Sequence, residues 1–118
     1  MNESNLFYEP EDEVKVLKVR RELPDLEKLN RLSEFYKIMG DATRLKILIA
    51  LEEDEFCASD IANICGMSRS AVSHQLKSLK SAKLVKSRKE GKTVYYSLDD
   101  SHIHSVLRVA FEHILEED

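Results

Sequence analysis

The stretch that most constrains the fold runs from Ala58 to Ala82, where two short apolar-periodic segments are separated by one glycine. Asp60-Ile61-Ala62-Asn63-Ile64-Cys65 reads as a short helix begun at Ala58 or Ser59. It is too brief to be stable in isolation. Gly66 follows directly and supplies a tight turn. Ser68 is a good N-cap for a second helix, Arg69 to about Ala82. On that helix Val72, Leu76 and Leu79 share one face, while Arg69, Ser70, Ser73, His74 and Lys77 lie outward or on the edge. Two helices joined this way form a helix–turn–helix, which needs further helices to cover its apolar side.

Small and polar groups on the first half of a second helix can approach base edges and phosphates in a major groove. Ser68, Arg69, Ser70, Ser73, His74 and Lys77 are therefore candidate contacts to double-stranded DNA. Leu84–Arg88 and Thr93–Leu98 then read as two short strands around a turn at Lys89-Glu90-Gly91-Lys92. A basic hairpin directly after such a helix is a wing, and Arg88, Lys89 and Lys92 are candidates for phosphate or the minor groove. The charge distribution agrees. The chain carries a net −4, yet Ser68 to Lys92 holds eight basic residues against one acid, leaving +7 there and −11 elsewhere. A basic face on an acidic body is the electrostatic footprint of a nucleic-acid-binding module.

Upstream, residues 1 to about 10 show no periodicity and read as an arm. Glu11 to Glu22 can form a short helix with Val14, Val16 and Leu17 inward, ended by Leu23-Pro24. With Pro24 in a first turn, Leu26, Leu29, Leu32, Phe35, Tyr36 and Met39 give the next helix an apolar face, and Gly40 stops it. Asp41 caps a third helix, Ala42 to about Leu51, with Leu45, Ile47, Leu48 and Ile49 largely buried. The 118 residues amount to one domain, with an arm and short helix over 1–24 and a winged helix-turn-helix over 25–118. The fold class expected is mainly α with a small β-hairpin, as a homodimer whose first and last helices form the seam. No stretch is long enough to span a membrane and the N-terminus lacks a signal-peptide pattern, so the cytoplasm is the expected location. Two cysteines, Cys57 and Cys65, make no disulfide framework.

The last twenty residues carry a different chemistry. As a helix, they place Ile103, Leu107, Ala110 and Ile114 on one packed face. Beside it runs a stripe of His102, Val106, Val109, His113 and Glu116, with Asp100 at the helix mouth. Asp, His and Glu are all zinc ligands. Each of these residues alone is ordinary on a capped amphipathic helix. His102 and His113 lie eleven residues apart, within about 20° of one face but roughly 16 Å apart along the axis. Zinc–imidazole bonds are about 2 Å long, so one helix cannot bring both to one ion. Asp100 and His102 of one copy facing His113 and Glu116 of an antiparallel second copy would supply an N/O tetrahedral set, twice by symmetry. Ligand hardness suits Zn(II), with Co(II) as a possible substitute, and Ni(II) would want more ligands, which His104 could provide. His104 otherwise points away from the stripe.

The chain after about residue 25 resembles the ArsR/SmtB family of winged-helix metal-sensing repressors. Three stretches carry the likeness. Gly40-Asp41-Ala42-Thr43-Arg44-Leu45-Lys46-Ile47-Leu48 is similar to the family's G-D-x-T-R-L-x-I-L helix. Met67 to Leu79 resembles its recognition helix, and Asp100-x-His102 followed after ten residues by His113-x-x-Glu116 matches its C-terminal zinc-site pattern. The resemblance implies a homodimeric repressor that binds an inverted-repeat operator when metal-free and leaves it when Zn(II) binds between the last helices. Some members add a thiolate site in a Glu-Leu-Cys-Val-Cys-Asp run. Here it reads Glu55-Phe56-Cys57-Ala58-Ser59-Asp60, with no cysteine before Cys57, so soft-metal sensing there lacks its thiolates. An alternative is a winged-helix regulator that responds to thiol oxidation at Cys57 and Cys65, or to no metal. An enzyme is not expected, since a zinc hydrolase needs an open coordination position, a cleft and a general base, and none is visible. No small-molecule substrate is expected either.

Overall fold

The computed structural model describes residues 5–116. The chain divides into two compact units, residues 1–34 and 35–118.

In the first unit, α1 spans Glu13–Glu22. Asp12 caps it by accepting from the Lys15 N–H at 3.1 Å, and Leu23 leaves the helix with extended backbone because Pro24 follows. None of its residues is buried: Val14 and Val16 are exposed and Leu17 half-buried, contrary to the inward face expected. α2 runs over Leu26–Met39. Its cap is Asp25, whose carboxylate accepts from the Lys28 N–H at 2.9 Å, so Pro24 stands before the cap and not inside the first turn. Leu26, Leu29, Leu32 and Tyr36 are exposed, and of the expected stripe only Phe35 and Met39, which belong to the second unit, pack, together with Ile38. Gly40 ends the helix where an added Cβ would sit 3.2 Å from the Tyr36 carbonyl.

The second unit holds the rest of the fold. α3, Ala42–Glu53, is capped by Asp41 and runs two residues further than expected. Its Ile47, Leu48 and Leu51 are buried, whereas Ile49 is exposed. A two-residue strand β1, Phe56–Cys57, leads into α4, Ala58–Cys65. Gly66 closes α4 in the left-handed region at φ +65°, a conformation that costs a side-chain-bearing residue most. The Met67 N–H bonds back to the Ala62 carbonyl at 3.0 Å, which sets the turn. Ser68 then caps α5, Arg69–Ser81, accepting from the Ala71 N–H at 3.1 Å.

β2, Val85–Glu90, and β3, Thr93–Leu98, pair antiparallel with Glu90 opposite Thr93. Only Gly91 and Lys92 remain in the turn, which is tighter than the four residues expected. Gly91 at φ +62° permits the two-residue hairpin that matches strand twist. β1 adds to the free edge of β3, giving the order β1-β3-β2. That third strand has no signal in the sequence, because two residues show no alternation. α6, Ser101–Leu115, closes the unit.

The core joins Ile47, Leu48, Ile61, Val72, Leu76, Leu79, Leu84 and Val85, all fully buried, to Ile103 and Leu107 of α6. It therefore packs the helix–turn–helix on α3 and the sheet. Only the first two turns of α6 take part. Ala110 and Ile114, expected on the packed face, are exposed together with Val109 and Leu115. The apolar stripe outruns the surface that a single copy offers it. Among the described residues no helix is long and apolar enough to cross a membrane.

Candidate functional site

The C-terminal helix separates its candidate ligands into two pairs. Asp100 is the N-cap, and its Oδ1 accepts from the His102 N–H at 2.8 Å and the Ile103 N–H at 3.3 Å. His102 Nδ1 lies 3.5 Å from the same oxygen. Partial desolvation pushes the Asp100 carboxyl up, but the hydrogen bonds from Ile103 and His102 outweigh it and hold it below its ordinary value. It is thus a carboxylate at neutral pH, as a ligand must be. Three turns on, His113 Nδ1 is 3.6 Å from Glu116 Oε2. The His102 and His113 side chains are 89% and 79% exposed, so both pairs face outward. Among the described residues no group of three or more His, Cys, Asp or Glu gathers to hold a metal within one chain. Each pair offers one imidazole nitrogen and one carboxylate, two of the four donors that a tetrahedral N/O metal site needs.

His104 has a partner of its own. Its Nδ1 is 3.4 Å from Oε2 of Glu52 on α3, a carboxylate only 14% exposed. Nothing in the sequence pairs them.

The second candidate surface is the face of α5 and the wing. Ser68, Arg69, Ser70, Ser73, His74 and Lys77 are all exposed. Ser68 Oγ is occupied as the helix cap and lies 3.4 Å from Ser70 Oγ. Between α4, α5 and the hairpin opens a cleft of about 360 Å³, lined by Ser59, Arg69, Ser73, Lys92 and Thr93 among others. Two cations and three hydroxyls in one cleft suit a backbone phosphate. Ser59 and Thr93 escaped the sequence reading because nothing local marks them. Lys80 Nζ donates to Ser87 Oγ at 2.7 Å and ties α5 to β2.

Arg88 is placed differently from Lys89 and Lys92. Its guanidinium forks onto the Glu55 carboxylate, reaches Glu90 Oε2 at 2.7 Å and stacks 4.7 Å from the centre of the Tyr95 ring. The group anchors the wing to the segment before α4 while its side chain stays half-exposed, and Lys89 and Lys92 are exposed as well. The hydrogen bond from Arg88 holds the Glu55 carboxyl below its ordinary value, against a smaller opposing desolvation, and the Arg88 cation is stabilised in turn. A depressed carboxylate contributes to the fold above its unfolded pKa, and that contribution disappears as pH falls through the lower folded value. In an NMR titration Glu55 is expected below the ordinary 4.5, and Arg88→Ala should return it there. A wild-type Glu55 titrating at or above 4.5 would refute the anchor.

The cysteines are both free thiols, Cys57 half-buried in β1 and Cys65 buried in the core. Burial pushes the Cys65 thiol up, opposed by Lys46, so it is a poor thiolate at neutral pH.

The family model described as "Bacterial regulatory protein, arsR family" matches residues 41–87, from the cap of α3 into β2. A transcriptional repressor SmtB homolog from Synechocystis is 40% identical over 87% of this chain and 78% of its own length. A homolog of the cadmium resistance transcriptional regulatory protein CadC from Staphylococcus aureus is 44% identical over 81% of this chain and 82% of its own. Among solved structures, a homodimeric winged helix-turn-helix DNA-binding domain from Mycobacterium bovis superposes with a TM-score of 0.71 at 28% identity, covering 81% of this chain and 94% of that one. The chain belongs to the ArsR/SmtB family of winged-helix bacterial regulators, which are transcriptional regulators and not enzymes.

Proposed function

We propose that this protein is a Zn(II)-responsive repressor that binds an inverted-repeat operator as a homodimer when metal-free and releases it when metal binds between the two α6 helices. The observation that carries this reading is the split of the donors: Asp100 and His102 at one end of α6, His113 and Glu116 at the other, both pairs exposed, neither completed by a further ligand among the described residues. Asp100 and His102 of one copy with His113 and Glu116 of a second would hold the ion. Bound there, Zn(II) supplies a rigid four-ligand link between copies, and Co(II) can take the same N/O set. The exposed second half of α6 offers the apolar contact such a seam needs. The relatives with repressor and metal-resistance names support a metal effector of this class.

On the DNA side, two α5 helices related by a two-fold axis would enter major grooves about 34 Å apart, one helical turn of the duplex. Ser70, Ser73 and His74 are proposed to approach base edges, with Arg69, Lys77, Lys89 and Lys92 on phosphates. A seam that prefers a different spacing when metal-bound lowers operator affinity, and operator must then weaken zinc by the same factor. Fluorescence anisotropy on an inverted-repeat library, with zinc and with chelator, tests the reading. Equal affinity in both conditions overturns it.

The wing contributes a separable prediction. Lys89→Ala and Lys92→Ala should each lower the slope of log K against log salt by about one, because each removes one phosphate neutralisation. Arg88→Ala should leave that slope nearly unchanged, since its charge is already answered by Glu55 and Glu90. A slope that falls as much for Arg88→Ala as for the lysines would return Arg88 to the phosphate contacts.

A further inference from the structure

We infer that α3 is the strut through which α6 biases the reading helix, gripped by His104–Glu52 at one end and by Arg44–Gln75 at the other. The inference rests on the zinc reading above and concerns residues that reading leaves unused.

The two ends are explicit. Near the C-terminus of α3, Glu52 reaches His104 of α6 at 3.4 Å, two residues beyond His102. Near its N-terminus, Arg44 Nε donates to Gln75 Oε1 of α5 at 3.0 Å. The same guanidinium donates to the Ile38 carbonyl of α2 at 3.4 Å and lies 3.7 Å from Asp41, the cap of its own helix. Arg44 and Glu52 stand eight residues apart, about 12 Å along the axis. Ile47 and Leu48, between them, are fully buried. A helix seated that tightly moves as a unit and does not bend between its ends, because close-packed interiors shift from one arrangement to another and do not deform continuously.

The chemistry at each end suits transmission. Gln75 is half-buried on the inner edge of α5, directly after Ser73 and His74 and before Lys77. It can therefore set the helix's orientation from behind without spending itself on DNA. A planar fork holds the Gln75 oxygen, the α2 carbonyl and the Asp41 carboxylate in one fixed relation, which a lysine point charge cannot reproduce. At the other end, a mostly buried carboxylate receives the imidazole of a residue on the ligand-bearing turn of α6. Any rotation of α6 that seats His102 on a metal carries His104 with it, and hence pulls on Glu52. Arg44, Glu52, His104 and Gln75 are positioning residues in this scheme and contact neither metal nor base.

The test uses the full-length chain, zinc sulfate, and a labelled inverted-repeat duplex selected with the wild type. Three quantities are read for each variant: zinc affinity without DNA, operator affinity without metal, and the ratio of operator affinity without zinc to that with zinc. Glu52→Ala and His104→Gln should each lower that ratio by about five- to tenfold while the two separate affinities stay within about twofold of wild type. Glu52→Gln retains an acceptor for His104 and should keep the wild-type ratio. Arg44→Lys should lower the ratio to the same degree, and combining it with Glu52→Ala should lower it no further, as for two links in series. His104→Gln touches a half-exposed side chain and folds even if Glu52→Ala does not. An unchanged ratio in His104→Gln, or additive losses in the double variant, overturns the strut and leaves the zinc reading standing. A wild-type ratio of one overturns the zinc reading and the strut with it.

Discussion

His113→Ala is expected to lower zinc affinity by about a hundredfold or more, since even outer partners of metal ligands are worth roughly ten- to a hundredfold. Operator affinity of the metal-free protein should stay within about twofold, and zinc at micromolar levels should no longer release DNA. The contrast follows from placement. His113 is 79% exposed, with its Nδ1 3.6 Å from Glu116 Oε2, and its removal disturbs neither the core nor α5. Asp100→Asn makes a useful companion, because Asn keeps the cap acceptor while surrendering carboxylate charge. It should preserve the α6 helix signal and still lose zinc. In the wild type, the zinc response should fade in acid, because protonated His cannot ligate. Competition against a chelating dye, followed by anisotropy on one selected duplex, reads both quantities. Wild-type zinc affinity in His113→Ala would remove this residue from the site.

Leu79→Ala is expected to be the most damaging single change to the fold. Leu79 is fully buried on the inner face of α5 and its carbonyl accepts from the Leu84 N–H at 2.9 Å, where the chain turns toward β2. Truncating a buried leucine typically costs about 2–5 kcal/mol, through lost transfer energy and the cavity left behind. Against a total stability of about 5–15 kcal/mol, that is a large share. Chemical denaturation at fixed protein concentration should show the midpoint fall with little change in slope. The same variant should lose operator affinity at temperatures where it is still folded, because the reading helix then rests on a void. A change below about 0.5 kcal/mol, the range of surface substitutions, would show that Leu79 is not part of the core.

Sequence periodicity alone located the helix–turn–helix, its Gly66 turn, the Ser68 cap and the buried Val72, Leu76 and Leu79. These are local properties, set by spacing, capping and a glycine where the backbone is left-handed. The family followed from three local motifs, over residues 40–48, 67–79 and 100–116. The candidate ligands were also legible, because Asp100, His102, His113 and Glu116 lie on one helix whose geometry is known in advance.

What only the tertiary structure decided involves residues far apart in the chain. The stripe on α6 predicted burial for Ala110 and Ile114, and an amphipathic pattern cannot say how much of its length one copy covers. Leu26, Leu29 and Leu32 repeat the lesson on α2. Arg88 looked like one more basic residue of the wing until Glu55, 33 residues earlier, proved to hold it. The same holds for Arg44 with Gln75 and for His104 with Glu52. Periodicity reports which face of an element is apolar. Which polar side chain meets which is fixed only when packing sets the distance between elements, and a charge 3 Å from its partner behaves differently from one in water.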